Sequence, residues 1–184
     1  MSSPTVSTTL SRIAEESARN PGRVFTTLAH HMTVEFLREA FSRVRPKAAP
    51  GVDGVTWHAY EQNLSANLED LHCRLREGRY HAPPVRRTWI EKEDGRRRPL
   101  GIPTLEDKIV QRSVAMLLEA VYEPLFHDFS YGFRPGRSAH QALARLRTQC
   151  LNLNIQWIVD ADVCGYFDHV GYVDDFPDVT RELF

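Results

Sequence analysis

Several things are scarce in this sequence, and each scarcity closes a door. Three cysteines, Cys73, Cys150 and Cys164, stand far apart with no C-x-x-C, so neither a disulfide framework nor a cysteine zinc site is suggested. The eight histidines show no metal-ligand spacing, and His30-His31 are simply adjacent. No apolar run approaches the roughly 20 residues of a membrane span. The N-terminus, MSSPTVSTTLSRIAEES, lacks the apolar core of a signal peptide, and Glu15 and Glu16 argue against a transit peptide. The expected location is the cytoplasm, with no membrane partner. No internal repeat is present. What remains is a globular composition, 42% hydrophobic and 26% charged over 184 residues, enough to bury a core.

Net charge is also scarce, at -1, but the balance is not local. Residues 72–112 hold 11 Lys/Arg against 6 acids, a net +5. Residues 151–184 hold 7 acids and only Arg181, a net -6. Such a division suits a protein that holds a polyanion and also binds cations. It equally suits a solvated arginine-rich face followed by an acidic tail.

The pattern along the chain predicts an α+β arrangement. The first eleven residues contain seven Ser/Thr and read as disordered. Thr33 caps a helix over 33–44 with Val34, Leu37, Ala40, Phe41 and Val44 at helical spacing. KAAPGVDGVT (47–56) is a loop in which Asp53 organises its own turn. Leu64, Leu68, Leu71 and Leu75 stripe a second helix that Gly78 ends. A strand at 85–91 meets Asp94-Gly95, a hairpin turn signal, and returns through RRRPLGIP. Thr104 with Asp107 fits a capping box at the start of a third helix. DFSYGFRPGR leads to a fourth helix, capped by Ser138 with Gln141 three residues on.

IQWIVDADV (155–163) reads as a strand. Side chains alternate along a strand, so Asp160 and Asp162 share a face with Ile158. Two close carboxylates repel, and such pairs often sit beside a metal ion or a basic group. The alternative is an exposed edge strand.

Four segments then carry a resemblance: PGVDGVT (50–56), DGRRRPLGIPTLEDKIVQRSVAMLLEAVYEPLF (94–126), FSYGFRPGRSAHQAL (129–143) and WIVDADVCGYFD (157–168). Together, and in this order, they resemble the N-terminal half of a bacterial group II intron reverse transcriptase/maturase, from about Phe25 to Val170. The resemblance implies a right-hand polymerase built of fingers and palm. The expected division is a disordered N-terminus over 1–24, a fingers-like region over 25–154, and a partial palm with a divergent acidic tail over 155–184. On this expectation the palm is cut short after its first catalytic strand.

The resemblance also implies roles. Asp162 is the catalytic residue and a ligand of Mg²⁺ in a two-metal site. Lys92 and Arg98 grip the triphosphate of an incoming deoxynucleotide, and Phe167 blocks a ribose 2′-hydroxyl. Arg96, Arg97, Arg134 and Arg137 meet nucleic acid. YVDDF at 172–176 matches the second catalytic motif in letters, offering Asp174 and Asp175 as further metal ligands, but it begins only ten residues after Asp162. It is a chance match, the product of an internal deletion, or part of a tail that folds back as a hairpin to bring Asp174 and Asp175 beside Asp162. Glu91 stands where the family commonly has proline, and Cys164 where a polar or basic residue is usual. The implied function is RNA-directed DNA polymerisation with RNA template, primer DNA and deoxynucleoside triphosphates as partners. The chain by itself is expected to be incomplete and inactive. The alternatives are an RNA-binding maturase-type fragment without polymerase activity, or the remnant of a degraded mobile element.

Overall fold

The computed structural model describes residues 5–91, 95 and 97–163. Its first element corrects the expectation of a disordered N-terminus. Val6–Arg19 form helix α1, capped by Thr5, whose side-chain oxygen accepts from the Thr8 backbone N–H. Val6, Leu10, Ile13 and Ser17 recur at steps of four and three, which is one helical face. Ile13 and Ser17 are buried, and Val6 and Leu10 lie against the core. The Ser17 hydroxyl donates to the Val121 carbonyl at 2.6 Å, fastening α1 to an element about a hundred residues away. The Ser/Thr-rich composition concealed this stripe because polar residues occupy the other face.

Helix α2, Val34–Arg43, starts at Thr33 as expected, with the Thr33 hydroxyl accepting from Phe36 N–H. It buries Phe36, Leu37, Ala40 and Phe41. A short helix, α3 (Trp57–Glu61), follows the 47–56 loop and sets Trp57 in a stack on Phe41 with centroids 4.6 Å apart. Helix α4, Leu64–Arg76, turns Leu68, Leu71 and Leu75 inward. It stops where Gly78 takes φ +66, a left-handed conformation that closes a helix end at little cost.

Strands β1 (Arg86–Glu91) and β2 (Arg97–Ile102) form an antiparallel ribbon, with Arg86 opposite Ile102 and Glu91 opposite Arg97. Helix α5, Leu105–Tyr122, is the central element, burying Leu105, Ile109, Val110, Ser113, Met116, Leu117 and Val121 against α1 and α2. Thr104 caps it, but only half of the expected box forms. The Thr104 hydroxyl accepts from Asp107 N–H, while the Asp107 carboxylate turns to Tyr80 and Gln111. Helix α6, Ala139–Asn152, has the full reciprocal box between Ser138 and Gln141, yet none of its residues is buried.

The core is therefore helical, made by α1, α2, α4 and α5 with α3 at one side. Its largest fully buried side chains include Phe36, Leu37, Leu68, Leu71, Ile109, Met116 and Leu117. Each is worth about 1.5–3 kcal/mol of transfer from water. The ribbon stands off this core with nearly all of its residues exposed.

The expected strand at 155–163 is not formed. The segment has no hydrogen-bonded strand neighbour among the described residues, where the sheet consists of β1 and β2 alone. Trp157 and Val159 are 88% and 90% exposed. Alternating apolar residues make a strand only when another strand supplies the ladder. Among the described residues, no helix is long and apolar enough to cross a membrane.

Candidate nucleic-acid and nucleotide interface

The ribbon is anchored at its root by backbone capture. Arg86 donates from Nε and Nη2 to the Pro50 carbonyl, at 3.1 and 2.9 Å. The Lys108 ammonium, reaching back from α5, donates to the Ala49 carbonyl. Burial pulls the Lys108 amine below the ordinary lysine range, Asp53 opposes that shift, and Arg86 adds to it. Gly51 sits against the start of α5: a Cβ there would stand 2.5 Å from Thr104 Cα. No side chain fits, so glycine is required by close approach of two backbones. Asp53 Oδ1 accepts from Val55 N–H at 3.1 Å, the turn expected of it. The PGVDG loop, the base of the ribbon and the α5 N-terminus are thus held as one unit.

Beneath them lies a polar network. Glu106 Oε1 accepts from Arg74 Nη2 at 2.8 Å and from the Tyr60 hydroxyl at 3.3 Å, and Arg74 Nε binds Asp70 at 2.8 Å. Burial raises the Tyr60 and Tyr80 hydroxyls above the usual tyrosine range, with Glu106 and Asp107 respectively adding to the effect. Both phenols therefore stay protonated donors and serve structure.

Arg98 lies on β2 opposite Ile90, on an exposed stretch of ribbon. Arg97 faces Glu91, with Nη2 and Oε1 3.9 Å apart and both side chains largely exposed. Lys92 and Arg96, in the connection between the strands, lie outside the described residues, as do Phe167, Asp174 and Asp175.

Arg134, expected at nucleic acid, has a side chain only 6% exposed. Its Nε and Nη2 bind the Glu123 carboxylate, the shortest contact being 2.8 Å, and Nη1 donates to the His127 and Ser130 carbonyls. Its guanidinium also lies over the Phe126 ring, 4.9 Å from the centroid. With its donors spent inside the 123–134 turn, it organises that loop and has little left for a phosphate. The bonds from Arg134 hold the Glu123 carboxyl below the usual carboxylate range. Arg137 is different. It reaches Asp128 only at 3.4 and 3.8 Å, lies over Tyr131, and keeps 30% of its side chain in solvent. Sequence reasoning missed Glu123, because a pair eleven residues apart across a turn has no local signature. It also missed Arg86 and Lys108, whose partners are backbone carbonyls.

Asp160 and Asp162 are both exposed. No group of three or more His, Cys, Asp or Glu that could hold a metal occurs among the described residues. Carboxylates are the right donors for Mg²⁺, which takes one or two of them and keeps several waters. The Asp162 carboxylate is a donor of that type, and among the described residues it belongs to no group of three or more such donors.

A sequence model described as reverse transcriptase (RNA-dependent DNA polymerase) matches residues 90–181, half of the chain. Protein YkfC of Escherichia coli is 43% identical over 124 residues, covering 66% of this chain and 32% of that protein. The group II intron-encoded protein LtrA of Lactococcus lactis is 33% identical over 166 residues, covering 89% of this chain and 27% of that protein. The mitochondrial nuclear intron maturase 1 of Arabidopsis thaliana is 34% identical over 68 residues, 37% of this chain and 9% of that protein. The chain spans about a third or less of the length of these relatives. It belongs to the reverse transcriptase family, in the group II intron reverse transcriptase/maturase branch.

Proposed function

We propose, taking that membership as the premise, that the protein takes part in RNA-directed DNA synthesis as the fingers-like region and the start of a palm. The observation that supports this most is the rooted ribbon. Arg98 rides on a strand whose base is fastened through Arg86 and Lys108 to the PGVDG loop and α5. A cation on a ribbon with a fixed root and an exposed outer part can reach a triphosphate without disturbing the core.

In this reading Lys92 and Arg98 hold the triphosphate and offset the charge that develops on leaving pyrophosphate. Arg96, Arg97 and Arg137 contact backbone phosphates, a salt-sensitive affinity. Phe167 limits the ribose 2′ position. Asp162 holds Mg²⁺, with Asp174 and Asp175 as the carboxylates that would complete its ligands. Bound there, the metal supplies charge stabilisation and orientation for phosphoryl transfer. Template RNA, primer DNA and deoxynucleoside triphosphates are the partners, and the cytoplasm, where these meet, is the location.

A second reading has its own observation. The 155–163 segment has no strand neighbour among the described residues, and Asp162 has no cluster of donors there. This favours an RNA-binding maturase-type module without polymerase activity. Primer extension on an RNA template, run beside an RNA-binding titration, separates the two. Incorporation that disappears in Asp162→Ala and falls in Arg98→Ala, with RNA affinity kept, is the result expected of the first. RNA affinity without incorporation leaves the second standing, and absence of both sinks both.

A further inference from the structure

The ribbon has two faces, and the reading above centres on the one that carries Arg98. Residues directly opposite on paired strands share a face. Arg86, Thr88 and Ile90 therefore lie with Ile102, Leu100 and Arg98. The other face carries Arg87 opposite Gly101, Trp89 opposite Pro99, and Glu91 opposite Arg97. Of this face the proposed function employs only Arg97, and it leaves Arg87 and Trp89 without a role.

Trp89 is the unusual member. It is 54% exposed on a two-stranded ribbon that offers it no core. At the root end, a Cβ on Gly101 would stand 2.8 Å from Val85 Cγ2, so Val85 occupies the space that a side chain would need there. At the far end, the Glu91–Arg97 pair is long and exposed, and an exposed pair of this kind is readily exchanged for another anion. Between the ends runs a strip about 13 Å long by strand geometry, with an indole flanked by the guanidinium groups of Arg87 and Arg97.

We propose that this face binds single-stranded RNA, one base stacking on the Trp89 indole while Arg87 and Arg97 take neighbouring phosphates. Aromatic side chains on which bases stack, set in a positively charged surface, are how single strands are held without sequence preference. The proposal rests on the RNA-handling reading and adds to it a contact on the side of the ribbon turned away from Arg98. The small size of the strip argues against a stable protein partner, which needs about 800 Å² on each side. A second copy is disfavoured further. In a two-fold interface the same patch meets itself, which would bring two net-positive strips together.

The test is anisotropy of a labelled oligouridine about 20 nucleotides long, which exceeds a typical single-strand site, titrated with the full chain across a salt series. Trp89→Ala should weaken binding about tenfold with its salt slope unchanged, and Trp89→Phe should keep most of the affinity. Arg87→Ala and Arg97→Ala should each flatten the salt slope by about 0.7. Matching thermal melts for all variants exclude misfolding. Unchanged affinity in Trp89→Ala overturns the proposal and leaves RNA handling intact, whereas a parent chain with no RNA affinity overturns both. A dimer in sedimentation that Trp89→Ala dissociates, with RNA affinity unmoved, assigns the face to a second copy and also overturns it.

Discussion

The helical block and the elements that project from it follow opposite rules. In α1, α2, α4 and α5, Leu37, Leu68, Leu71 and Ile109 have no exposed surface, and buried polar groups such as Ser17 and Ser113 have partners. In the ribbon, α6 and the 155–163 segment, the described residues are exposed or half-exposed, and apolar side chains from Trp89 to Val163 face solvent. Stability therefore resides in one region and the residues proposed to handle nucleic acid in the other. The sharpest way to break this comparison is a pair of substitutions. Ile109→Ala should cost about 2–5 kcal/mol, because it leaves a cavity in a closed core. Arg98→Ala should stay within about 0.5 kcal/mol, as an exposed side chain without core contacts, while lowering nucleotide incorporation. Urea denaturation of both reads the difference, and similar losses for the two would erase the distinction.

Arg134 sharpens the comparison because it belongs to the projecting region but is bonded like a core residue. Arg134→Met keeps much of the side-chain bulk and removes the bonds to Glu123, His127 and Ser130. The expected effect is local: faster limited proteolysis between Phe126 and Ser138, with the global melting temperature nearly unchanged. A large drop in melting temperature would show that the 126–138 loop is part of the core's cooperative unit.

What could be read from the sequence divides along the same line. Helix starts at Thr33, Thr104 and Ser138 were legible because a cap is a local bond between a hydroxyl and a backbone N–H three residues on. The hairpin was legible from its turn residues and flanking strands. Helix α1 was not, because its Ser/Thr-rich composition hides the stripe through Val6, Leu10, Ile13 and Ser17. Short α3 was not, since five residues carry too little periodicity. The strand at 155–163 was expected from alternation, yet strand formation depends on a neighbour that alternation cannot reveal. At the candidate site, Arg134 and Arg137 looked alike in FRPGR. Glu123, at the far end of the 123–134 turn, made one a loop organiser and left the other partly open.

The smallest expected effect concerns the edge of the helical block, where α1 meets the segment after it. A groove of about 510 Å³ there is lined by Arg12, Arg19, Arg23, His30 and His31, with Glu15 and Glu16 on the same helix. Burial pulls the His31 imidazole below the ordinary histidine range, and His30 and Arg12 push it further. The proton therefore binds the unfolded chain more readily than the folded one. Stability contributed by neutral His31 is complete above the unfolded value of about 6.5, and it declines as pH falls from there through the lower folded value. His31→Gln keeps a polar side chain without a titrating proton. Melting temperature against pH should be less steep for this variant than for the parent below about pH 6.5, with the two curves parallel above it. Identical slopes below pH 6.5 would mean that α1 does not hold His31 neutral, and that the helix closes over the block less tightly than the burial of Ile13 implies.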